Sequence, residues 1–198
     1  MCGGREVGFG IFKEMKVGLF FGSFNPIHIG HVAIAKFMAE ETDLDQVWLV
    51  VSPHNPLKDK KSLGDARKRL QVVKKAIGRN PGIKVSDIEF KLPQPSYTIH
   101  TLRALKGKYP QHKFVLIIGE DNLAGLSKWK DYRKILAAHS VYVYPRFDSA
   151  SSGLRHSKNV TVFNAPQIDV SSTFIRKEIR KGKNINHLIP TKVRNVAV

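Results

Sequence analysis

Two histidines three residues apart, His28 and His31, stand in the stretch "GSFNPIHIGH" (residues 22–31), directly behind the apolar run "KVGLFF". No Asp, Glu or Cys lies among them. Imidazoles without acidic neighbours suit an anion better than a cation, and zinc would need a third ligand that the stretch does not offer. Gly22 permits a tight turn and the close approach of a ligand, and Pro26 stiffens the loop. If a strand ends here and a helix begins near His31, free backbone N–H groups and the positive helix end face whatever lies above. The chemistry that fits is the binding of phosphate groups.

A second polar cap occurs at residues 170–176, "VSSTFIR". Ser171 or Ser172 can cap a helix there, and Arg176 falls one turn beyond Ser172 on the same face. Backbone amides, the hydroxyls of Ser172 and Thr173, and the guanidinium can then converge on one anion. Taken alone, the stretch reads more readily as an ordinary capped helix with an exposed arginine, since such caps are common.

These groups need elements to position them. Short β-branched and aromatic runs recur at 16–21, 46–51, 83–87, 113–118, 140–144 and 160–164. The continuous apolar character of the first, second and fourth predicts strands covered on both faces. Helical patterns fall between them at 31–42, 65–77, 98–107, 131–138 and 172–181. The alternation predicts an α/β fold: a Rossmann-like, doubly wound, mainly parallel sheet with helices on both faces. Stretches 52–62, 91–96 and 148–153 read as loops. The first two follow predicted strands, where such sheets bind ligands.

At 198 residues the chain is of single-domain size. Its one cysteine, Cys2, excludes an intrachain disulfide, and no apolar run approaches the ~18 residues of a membrane span. The segment 1–14 has no signal-peptide pattern. It reads as a leader, disordered and dispensable, ahead of a single domain over 15–198, and the chain as cytoplasmic. The net charge of +17 attracts polyanions in general and cannot choose among them. A nucleic-acid-binding module and a catalytically silent α/β subunit therefore stand as alternatives, the first distinguished by salt-sensitive binding without turnover.

With both motifs in view, "GSFNPIHIGH" resembles the HxGH signature of the nucleotidyltransferase superfamily. "VSSTFIR" is similar to the "ISSTxIR" signature of its nicotinate- and nicotinamide-mononucleotide adenylyltransferases. "PSYTIHTL" (95–102), "IIGEDNL" (117–123) and "KWKDYRKIL" (128–136) are similar to further motifs of the bacterial nicotinate-mononucleotide enzymes. Class I aminoacyl-tRNA synthetases share only the literal "HIGH". Phosphopantetheine adenylyltransferase shares the first motif, but "PSYT" and the Trp segment are not expected in it. One departure is that Arg146 follows Pro145 in "YPRF", where the family often has Arg-Pro.

The resemblance implies transfer of the adenylyl group of ATP to nicotinate mononucleotide, releasing pyrophosphate, in NAD biosynthesis. It implies neither a nucleic-acid nor a membrane partner. His28, His31 and Arg176 form the implied catalytic set. ATP would be bound by Gly22, Ser23, Phe24, His28, His31, Lys58, Gly119, Asp121, Ser172, Thr173 and Arg176. Tyr97, Thr98, Trp129 and Arg146 would bind the acceptor. Mg2+ would be carried mainly by the ATP phosphates, with no protein metal site. For Asp121 a helix-start carboxylate, and for Trp129 a core residue, remain the plain alternatives.

Overall fold

The computed structural model describes residues 13–59, 63–147 and 152–196. Among them, β1 (Lys16–Gly22), β2 (Gln46–Val51), β3 (Ile83–Ser86), β4 (Lys113–Gly119), β5 (Val141–Tyr144) and β6 (Val160–Val162) form one sheet. The strand order is β3-β2-β1-β4-β5-β6, with every neighbouring pair parallel. The helices are α1 (Ile29–Glu40), α2 (Ala66–Ile77), α3 (Thr98–Lys108), α4 (Glu120–Ala124), α5 (Tyr132–Ala138) and α6 (Ser172–Arg180). The chain order reverses between β1 and β4. At such a reversal the connections leave in opposite directions and open a crevice above the strand ends.

The apolar strands are buried on both sides because two cores sandwich the sheet. One gathers Phe20, Ile34, Met38, Leu49, Val73 and Ile175, under α1, α2 and α6. The other gathers Leu19, Val50, Leu102, Leu116, Leu123 and Ile135, under α3, α4 and α5. Successive residues Leu19 and Phe20 thus enter opposite cores, as the two-residue strand period requires. Asp65 starts α2 by accepting the N–H groups of Arg67 (2.7 Å) and Lys68 (3.0 Å). Gly78, at φ +62°, ends it.

The strands fall within two residues of their predicted bounds. Helix α1 begins at Ile29 rather than 31, because His28 is extended (φ −138°) and takes the N-cap place itself. Helix α4, five residues long, has no sequence periodicity to reveal it. Of the proposed leader, residues 1–12 lie outside the described residues, and Glu14 pairs with Lys113 at 2.6 Å on the surface. No helix among the described residues is long and apolar enough to cross a membrane.

Candidate active site

Strand β1 delivers its chain into the crevice and α1 carries it away, so residues 22–31 cross the top of the sheet. Gly22 is required by packing: a Cβ there would lie 2.8 Å from the Phe24 ring. Phe24 itself is buried at φ +46°, a left-handed conformation that costs a non-glycine residue roughly 1–3 kcal/mol. Contacts hold it there: its ring lies edge-on to Phe20 (6.0 Å) and to His31 (5.0 Å). The sequence reading passed over Gly30. A Cβ at that position would stand 3.1 Å from His28 Nδ1 and 3.0 Å from Val170, so glycine is what lets the His28 ring lie against the helix.

The two imidazoles stack at 3.6 Å, tilted by 30°. His31 Nδ1 accepts the backbone N–H of His28 at 3.2 Å, which leaves the ring hydrogen of His31 on Nε2. His28 is buried, and burial with the nearby Arg146 charge holds its pKa down at about 3. His31 is held well below the usual histidine value by burial, then by His28, Arg146 and Lys58. Both rings are therefore neutral near pH 7, each with a single N–H to donate. His28, His31 and Arg146 line one narrow cleft of about 20 Å3 with Phe20 and Tyr144.

Helix α6 arrives beside this turn from the far end of the chain. Ser171 caps it, accepting the Phe174 N–H at 3.1 Å, and so resolves the choice between the two serines. Ser172 is thereby free to donate its hydroxyl to the Pro26 carbonyl at 2.9 Å. Arg176 donates to the Asn25 carbonyl at 2.7 Å and to Thr173 Oγ1 at 3.1 Å. Asn25, Lys58, Ser172, Thr173 and Arg176 line a cavity of about 220 Å3. Partial burial of the Lys58 ammonium, and the guanidinium groups of Arg176 and Arg69, hold its pKa below the usual lysine value. Asp59 also lines this cavity, and the excess of cationic side chains there forms a ready cradle for phosphates.

Arg69 was not legible in the sequence. It sits in α2 between other basic residues, yet it is buried and turned inward. Its guanidinium donates to the carbonyls of Ser23, Ser52 (3.0 Å) and Pro53 (2.8 Å). One side chain thus ties the turn after β1 to the loop after β2 that carries Lys58. Ser23 contributes that carbonyl and lies behind the cavities. The signal available in the sequence was only an arginine one position from the apolar stripe of Leu70, Val73 and Ile77.

A cavity of about 360 Å3 opens on the other side of β1. Tyr97, Thr98, Trp129 and Gly119 line it together with Asn55, Leu57 and Lys130. Tyr97 is the N-cap of α3 and Thr98 its first residue, with no side chain capping that helix end. Lys130 Nζ sits 4.7 Å from the Tyr97 ring centre. Trp129 packs on the edge of the second core and also walls the cavity. Phe20 and Tyr144 are shared with the histidine cleft, so the two spaces adjoin.

Asp121 and Arg146 lie on the opposite flank. They line a cavity of about 260 Å3 with Phe147, Gln167 and Ile168, their charges 3.7 Å apart. The structure thus sets Arg146 beside His28 and Asp121, away from Tyr97 and Trp129, with which the sequence reading had grouped it. Gly119 borders both sides: it lines the 360 Å3 cavity, and a Cβ there would collide with Asp121 Oδ1 and lie 3.2 Å from Arg146. No cluster of three or more His, Cys, Asp or Glu able to hold a metal occurs among the described residues.

Residues 19–178 match the family described as cytidylyltransferase-like. A "Probable nicotinate-nucleotide adenylyltransferase" of Flavobacterium johnsoniae is 55% identical, over 90% of this chain and 94% of the relative. One of the same name from Cytophaga hutchinsonii is 53% identical, over 92% and 95%. Among solved structures, Plasmodium falciparum nicotinic acid mononucleotide adenylyltransferase complexed with NaAD has the same fold. Its TM-score is 0.75 at 18% identity, over 91% of this chain and 93% of that one.

Proposed function

The chain belongs to the cytidylyltransferase-like family, among its nicotinate-nucleotide adenylyltransferases, and on that footing we propose that it joins ATP and nicotinate mononucleotide into nicotinate adenine dinucleotide and pyrophosphate. The observation that carries the reading is the clamp of α6 onto the β1–α1 turn. It brings two neutral histidines and a guanidinium to adjoining walls at the switch point of the sheet. The acceptor's phosphate attacks the α-phosphorus in line with the departing pyrophosphate. Its second pKa lies near 6, so it is already an anion and needs no general base. The site's task is placement and charge stabilisation.

In this reading His28 and His31 donate N–H groups to the triphosphate where charge builds up. Lys58, Ser172, Thr173 and Arg176 hold the pyrophosphate end. Asp121 faces the ribose, with Arg146 beside it on the ATP side, and the 360 Å3 cavity takes the nicotinate ring against Tyr97 and Trp129. The cations Lys58, Arg146 and Arg176, with Asp59, Asp121 and Asp169 as scattered carboxylates that form no cluster able to hold a metal among the described residues, fit Mg2+ that arrives on the triphosphate. When bound, Mg2+ offsets phosphate charge. A cytoplasmic location belongs to the same reading, because both substrates are small soluble phosphates. Pyrophosphate release with ATP, Mg2+ and a panel of nicotinate mononucleotide, nicotinamide mononucleotide and phosphopantetheine tests it. Turnover of phosphopantetheine alone, or salt-sensitive nucleic-acid binding with no turnover, overturns it.

The same cavity predicts a preference for nicotinate over nicotinamide. The acceptors differ by a carboxylate against a neutral amide, and the uncapped start of α3 favours an anion. Hydrogen bonds to a charged group contribute about 1.5–3 kcal/mol, roughly tenfold to over a hundredfold in kcat/KM. Stacking on Trp129 holds either ring equally, so Trp129→Ala should raise both KM values and keep most of their ratio. Equal kcat/KM for the two acceptors in the wild type would refute the helix-start assignment.

A further inference from the structure

One acidic side chain lies in the wall of the acceptor cavity. Glu89, in the 3-10 turn Ile88–Lys91, is 1% exposed and lines that cavity beside Ser52, Ser96 and Tyr97. Its Oε1 accepts the Thr101 hydroxyl from α3 at 2.8 Å, and its Oε2 has no hydrogen-bond partner among the described residues. The groups facing it from the packed elements are neutral hydroxyls: Thr101 from α3, Ser52 from the end of β2, and Ser96 from the loop before α3. The cations of the cavity, Lys128 and Lys130, belong to the segment after α4 and form no ion pair with it. A carboxylate without a cation, in the wall of a space assigned to a second carboxylate, needs a reason.

We propose that Glu89 determines acceptor selectivity: in its neutral form the cavity admits a carboxylate-bearing ring, and once ionised it turns that ring away while leaving the amide unaffected. The inference rests on the acceptor reading given above. Burial raises the Glu89 pKa, outweighing the hydroxyls of Thr101, Ser52 and Ser96, which favour its charge. Two like charges in one desolvated space also disfavour each other. Binding of the nicotinate acceptor therefore takes up a proton at Glu89, and binding of the nicotinamide acceptor does not.

The sign follows from a raised pKa. Glu89 is neutral on the acid side and loses its proton as pH rises, so the preference for the acid should be largest at low pH. Both acceptors carry the same 5′-phosphate, and its titration cancels in their ratio. The test is kcat/KM for nicotinate and nicotinamide mononucleotides from about pH 5.5 to about pH 9, in the wild type and in Glu89→Gln. The wild-type acid-to-amide ratio is expected to fall roughly tenfold or more across that range. The ratio in Glu89→Gln, which is neutral throughout, is expected to stay flat. A flat wild-type ratio, or a Glu89→Gln ratio that falls alongside it, overturns the inference.

Should Glu89→Gln fail to fold, calorimetry of acceptor binding to the wild type in two buffers of different ionisation enthalpy decides. Greater proton uptake with the nicotinate acceptor supports the assignment, and equal uptake with both overturns it. Turnover of nicotinate mononucleotide with a flat ratio removes only the role of Glu89. Absence of turnover with that acceptor removes the functional reading as well.

Discussion

Replacing His28 or His31 with alanine is expected to cut turnover at least about a hundredfold, the loss associated with one preorganised donor to a developing negative charge. The two rings stack at 3.6 Å, and the His31 tautomer is fixed by the His28 N–H, so each variant also disturbs the other ring. Their combined loss should accordingly be smaller than the product of the two. Steady-state pyrophosphate release, alongside circular dichroism to confirm folding, provides the check. A folded single variant with near-normal turnover would remove the phosphate role. The same residues predict an acid limb of stability. The His28 pKa is about 3 when folded against 6.5 for a free histidine, so between those values the unfolded chain binds more protons. Its contribution is whole above about pH 6.5 and is lost as pH falls toward 3. His28→Ala should flatten part of that limb in a melting-temperature series.

The turn that carries these histidines was readable because a glycine, a proline and two imidazoles without acids have few structural uses together. The strands were readable for a different reason: doubly covered strands cannot mix polar residues into their interiors, as "QVWLVV" illustrates. What escaped notice depends on direction rather than composition. Arg69 and Lys68 are adjacent basic residues of one helix, and only the angle of the helix sends the first inward. Glu89 occupies a 3-10 turn too short to have a period, so its burial leaves no pattern. The family resemblance groups Arg146 with the acceptor residues, while the path of the chain after β5 sets it on the Asp121 side.

Arg69→Met is expected to destabilise the protein by about 3 kcal/mol and to lower its melting temperature by roughly 6–12 °C. Methionine fills much of the space but leaves the carbonyls of Ser23, Ser52 and Pro53 buried without their donor. Activity should suffer too, by roughly ten- to a hundredfold in kcat/KM, since the turn after β1 and the Lys58 loop lose their common anchor. Arg69→Lys is the discriminating variant. An ammonium on a flexible stem cannot reproduce a planar fork that serves three acceptors, so it should recover less than half of the lost stability. A lysine variant as stable and active as the wild type would mean that charge alone matters there. Urea titrations and kcat/KM on both variants separate the two cases.

The clamp of α6 on the turn joins residues 146 and 151 positions apart, Ser172 to Pro26 and Arg176 to Asn25. That separation has a consequence in time. On a ribosome adding roughly 5–20 residues per second, the histidine turn emerges on the order of ten seconds before the helix that completes its phosphate cradle. A nascent chain therefore has half a site and cannot engage the triphosphate through both halves. After release, a nucleotide held between the two halves adds contacts that fasten α6 to the turn. Amide exchange in residues 172–180 should slow more on ATP binding than exchange in β1 or β4, which are already buried on both faces.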